Sequence, residues 1–76
     1  MTARTFPAAT ARALAGAGWV VGQRIARIER FGCKVAVWAD GVWELTTPTG
    51  ILRCGEESHP ALAAMECNNI SWGFKS

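Results

Sequence analysis

A chain of 76 residues has room for one domain and one small core; a domain this size buries only about 60% of its unfolded surface. Half of the residues are hydrophobic, with four Trp and three Phe, a composition that excludes an intrinsically disordered chain. The net charge of +2 is too small to identify a polyanion binder on its own, and the basic residues gather early. Residues 1–28 hold Arg4, Arg12, Arg24 and Arg27 without an acid, and the carboxylates begin at Glu29.

In chain order, the Ala-rich front predicts a helix over about 7–16, ending near Gly16 or Gly18. This stretch resembles a transit peptide in composition only, and its weak apolar content argues against a signal peptide or a membrane span. The next segment, 19–31, admits two readings. As a helix it gathers Val21, Arg24, Ile25, Ile28 and Phe31 on one side. As a strand it divides Ile25 from Ile28, and Phe31-Gly32 becomes a turn. Gly22 and the pair Val20-Val21 weigh against the helix.

Strands follow over about 33–39, 42–47 and 51–54. Asp40-Gly41 between two β-branched and aromatic runs is a strong hairpin signal, since Gly accepts the positive φ of a tight reversal. Taken as a two-residue turn, it sets Trp38 against Trp43 and Ala36 against Leu45, a face predicted to be the core. Val35, Val37, Glu44 and Thr46 then share the other face. Pro48-Thr49-Gly50 predicts a second turn. In the preferred register Leu52 and Cys54 join the Trp face, while a three-residue turn would flip them.

Ser58 and Pro60 then signal a helix over about 59–68, capped by Ser58, with Leu62 and Met65 toward the sheet. Asn68-Asn69 is the predicted stop. The tail 70–76 carries Trp72 and Phe74 as a short edge strand or a tuck against the core. The fold class expected is α+β: one domain over 1–76, an antiparallel three- or four-stranded meander packed against one or two helices.

No catalytic residue is assigned, so the chain is read as a non-enzyme. Ser58 and His59 are adjacent, and neighbouring side chains diverge. Cys33, Cys54 and Cys67 lack the paired spacing of a disulfide framework or a zinc site, which predicts free thiols, no metal, no cofactor and a cytoplasmic setting. Asn69-Ile70-Ser71 matches a glycosylation pattern by chance, and no glycine-rich phosphate loop is present.

The expected partner-binding residues are Arg24, Arg27, Arg30 and Lys34, with Trp19 and Trp72 as aromatic anchors. On a helix, Arg27, Arg30 and Lys34 form a ridge of about 10 Å that reaches phosphates or an acidic protein groove. Acidic residues beside Trp38 and Trp43 disfavour base stacking. A small protein-binding module, acting as an inhibitor or adaptor, is therefore the leading reading. A nucleic-acid binder using the ridge comes second, and a homodimer or larger homo-oligomer burying the Val35/Val37/Val42 face third. No membrane partner is expected. The pattern recurs in unrelated small proteins, so it identifies no family.

Overall fold

The structure is a computed structural model that describes residues 4–75, so residues 1–3 and 76 of the expected domain and tail lie outside the described residues. Helix α1 (Ala8–Gly16) leads into strands β1 (Val20–Val21), β2 (Ile25–Arg30), β3 (Cys33–Trp38), β4 (Val42–Thr46) and β5 (Leu52–Glu56), and helix α2 (Pro60–Trp72) follows. The strands form one sheet in sequence order, every neighbour antiparallel. This is a small α+β domain, with a multi-strand antiparallel sheet packed against two helices. The sheet has five strands, one more than the longest meander expected.

The segment 19–31 is extended, and the helical reading fails. Gly18, at φ +99°, ends the helical geometry, with the Trp19 N–H donating to the Leu14 carbonyl at 3.0 Å. Val20-Val21 then pairs with Arg27 and Ala26. Phe31-Gly32 makes the two-residue turn that joins β2 to β3, both residues at positive φ. Ala26 and Ile28 face the core, and Ile25 emerges on the opposite face.

The β3–β4 hairpin corrects the expected core. Its register pairs Val37 with Trp43 and Val35 with Leu45, so the loop is Ala39-Asp40-Gly41 and not Asp40-Gly41 alone. The Gly41 N–H donates to the Trp38 carbonyl at 3.0 Å, and Gly41 alone in this loop takes a positive φ. A two-residue primed turn would have forced Asp40 there as well. Ala39 is held back in the sheet by its N–H, which donates to the Arg24 carbonyl at 2.9 Å. One residue of slip exchanges faces. Val35, Val37, Trp43 and Leu45 form the interior, while Ala36 and Trp38 lie on the other side with Glu44 and Thr46. The two indoles therefore point to opposite sides of the sheet.

The next turn repeats the device. Gly50 sits at φ +88°, and Thr47 holds Ile51 by N–H to carbonyl at 2.9 Å and by Oγ1 accepting the Ile51 N–H at 3.1 Å. The loop is again three residues, which sends Leu52 and Cys54 outward and sets Arg53 beside Leu45 and Gly55 beside Trp43. The expected register placed Cys54 beneath Trp43, where its Cβ would meet the indole. A Cβ built on Gly55 would already lie 2.6 Å from the Trp43 ring. Gly55→Ala is thus expected to lower stability by about 1–3 kcal/mol, as overpacking does, read from the midpoint of urea unfolding.

Helix α2 covers this interior with small residues. Pro60, Ala63, Ala64, Cys67 and Ser71 are buried, whereas Leu62 and Met65, expected toward the sheet, are exposed. The bulk comes from Trp43, Leu45 and the valines, so a helix with short side chains on this face fits closely over them. The N-cap is His59, not Ser58: its Nδ1 accepts the Ala61 N–H at 3.0 Å, with Pro60 in the first turn. Asn68 does not stop the helix because its side chain accepts from Arg30, and α2 runs on to Trp72. Residues 70–72 of the expected tail thus belong to α2, and 73–75 form no strand among the described residues. Helix α1 packs on β1 and on α2, and Phe6, Leu14 and Trp19 close that end of the core.

Candidate functional site

The strand geometry disperses the expected basic ridge. Arg27 and Lys34 lie on the outer face of the sheet, Arg24 is exposed in the β1–β2 turn, and Arg30 points inward. The Arg30 guanidinium donates to Asn68 Oδ1 on α2 and to the Ala17 carbonyl at the end of α1, 3.2 Å away. A cation suits a helix C-terminus, so Arg30 ties β2 to both helices.

The two expected aromatic anchors also separate. Trp19 is buried and belongs to the core. Trp72 is exposed, with its ring 5.1 Å from Phe31 and the Lys75 ammonium 4.5 Å above it. Phe31 stands in the left-handed region, so this stack braces a turn that most residues would resist.

The outer face gathers a different set. Ile25 pairs with Trp38, and Val42 lies across the hairpin from Trp38; all three are half-buried, as is Ala36. Arg27, Lys34, Glu29, Glu44 and Glu56 surround them, two cations against three carboxylates. Both helices pack on the inner face, so among the described residues this surface has no cover. The sequence pattern placed Trp38 in the core and set Val42 on an outer face with Val35 and Val37, which are buried. The available signal was charge: Cys33, Val35, Val37, Trp43 and Leu45 form one set without a polar member, whereas Lys34 and Glu44 mark the other.

A groove of about 480 Å³ runs between α1 and α2, with Ala13, Leu14, Ala61, Ala64, Met65 and Trp19 in its walls. Arg30 and Asn68, already bonded to each other, stand in it as well. It is an open seam between two Ala-rich helices.

Among the described residues no three His, Cys, Asp or Glu side chains gather where they could hold a metal. No helix among the described residues is long and apolar enough to cross a membrane. The three cysteines are free; Cys33 and Cys67 are buried and Cys54 is exposed on β5. Burial pushes the Cys33 thiol up, and burial with the Glu66 carboxylate pushes Cys67 up to about 12. The unfolded thiol ionises earlier, so the folded state binds the extra proton and loses stability as pH climbs toward 12. Alkaline unfolding is expected to shift to higher pH in Cys67→Ala once its lower neutral-pH stability is subtracted, as followed by circular dichroism. No protein family, curated protein or solved structure matches this chain.

Proposed function

We propose that this protein is a small non-catalytic binding module, an inhibitor or adaptor, that docks on another protein through the outer face of its sheet. The observation that supports this reading is the uncovered cluster of Trp38, Ile25, Val42 and Ala36 on a face opposite both helices. A half-buried Trp within a mixed-charge rim has the make-up of an interface hot spot: an apolar centre for affinity and polar surroundings for orientation. Phosphate is a poor ligand for the same face, because carboxylates outnumber cations there. Of the Val35/Val37/Val42 face expected to self-associate, Val35 and Val37 are buried on a strand packed against α2, and Val42 lies on the outer face.

The test compares partners retained by the wild-type protein with those retained by Trp38→Ala and by Trp72→Ala. A partner bound through the outer face is lost with Trp38→Ala, with affinity falling about 30-fold or more as hot-spot truncations do. It stays with Trp72→Ala. Equal retention by both variants overturns the reading.

A further inference from the structure

The free side of β5 is a sheet edge that borders the outer face. The Thr47 N–H donates to Ile51 and the Glu57 N–H to Gly41, each at 2.9 Å, and Leu45 pairs with Arg53 and Trp43 with Gly55 between them. Residues 51, 53, 55 and 57 therefore turn their peptide groups toward β4. By alternation, Leu52, Cys54 and Glu56 turn theirs away from the sheet. All three residues are exposed, and no proline, lysine or bulge interrupts the strand. Leu52 and the preceding Ile51 are 60% and 61% exposed, so the edge also offers apolar surface.

The order of charges selects what can pair there. Arg53 stands near the start of the strand, while Glu56 and Glu57 stand at its end. A parallel copy in register would bring like charges together, and an antiparallel copy brings opposite ones together. We propose that β5 pairs with β5 of a second copy of this chain, antiparallel about a twofold axis at Cys54. Leu52 then lies opposite Glu56 of the second copy, and Cys54 opposite its own counterpart. On the inner-face side Arg53 lies opposite Gly55 of the second copy, with that copy's Glu57 on one diagonal and its Arg53 on the other, so two attractive diagonals across the pair stand against one repulsive one. The three outward peptide groups of each copy exchange about six hydrogen bonds and join two five-stranded sheets into one of ten.

Sedimentation at increasing concentration tests this directly: the mass is expected to rise from 8.2 kDa toward twice that value. Cys54→Pro removes an outward N–H that β4 does not use, so it is expected to keep the fold and hold the chain at single mass. Charge exchange gives a test free of proline. Arg53→Glu and the double variant Glu56→Arg/Glu57→Arg are each expected to remain single. Mixed, they restore the double mass, since both ends of the pairing then carry opposite charges. A wild-type chain that stays at single mass at its highest soluble concentration overturns the proposal. So does a dimer that persists through Cys54→Pro or forms by either charge variant alone.

Discussion

Truncating Trp43 to Ala is expected to cost about 3–5 kcal/mol, while the same change at Trp38 leaves stability within about 1 kcal/mol of wild type. The two residues flank one hairpin and share one chemistry, so only the face they occupy separates them. Trp43 is 6% exposed, with its ring against Gly55 on a strand that packs on α2, and its removal opens a cavity that the strand backbones cannot fill. A 76-residue domain has a total stability of roughly 4–11 kcal/mol, so the Trp43 variant loses a large share of it. Trp38 contacts its neighbours from the open side and leaves no void. Urea unfolding of both variants reads the difference, and equal losses would mean that the register across the hairpin is not the one described. Trp43→Phe adds a refinement. The indole Nε1 is buried without an acceptor among the described residues, so Phe gives up volume but also removes an orphaned donor. Its cost is expected to fall well below that of the Ala variant.

Gly41→Ala is expected to be the more damaging of two glycine substitutions that look alike in sequence. Gly41 and Gly50 each close a three-residue loop at positive φ, +96° and +88°. Around Gly50 there is open space, so an Ala there meets only the backbone strain of the left-handed region, about 1–2 kcal/mol. At Gly41 the added Cβ would lie 2.0 Å from the Glu57 carbonyl oxygen and 3.0 Å from its carbon. Those are backbone atoms, which cannot swing aside. The chain leaving β5 would have to move, breaking the bond from the Glu57 N–H to the Gly41 carbonyl. A loss of about 3 kcal/mol or more is expected for Gly41→Ala, with melting temperature and urea midpoint falling together. Equal losses at the two glycines would mean that the loops are not distinguished by this approach.

Much of the architecture was legible from local chemistry. The reversals at 40–41 and 48–50, the Ala-rich first helix and the Pro60 helix start all follow from residues whose conformational demands are strong. Loop length was not legible. Asp-Gly serves a two-residue primed turn and a three-residue turn with a bulge equally well, and the choice rests on distant bonds: Ala39 to Arg24, and Glu57 to Gly41. That choice fixes the face of Trp38 relative to Trp43, and the same ambiguity at the 48–50 loop independently moved Leu52 and Cys54 outward. The face of α2 was misjudged for a related reason. Leu62 and Met65 look like core residues by size, yet the space above the sheet was already filled by Trp43 and Leu45. The basic ridge required a helix over 19–31, and extended backbone sends alternate arginines to opposite sides.

The meander places α2 after all five strands, and this has a consequence during synthesis. Each hairpin closes between neighbours in sequence, so the strands can assemble quickly as they leave the ribosome. For that interval Val35, Val37, Trp43 and Leu45 present a bare greasy plane, because the segment that shields them emerges after them. A chain whose strands have emerged ahead of α2 would therefore recruit chaperones or clump with its neighbours, and the arrival of Ala63, Ala64 and Cys67 would end that vulnerability.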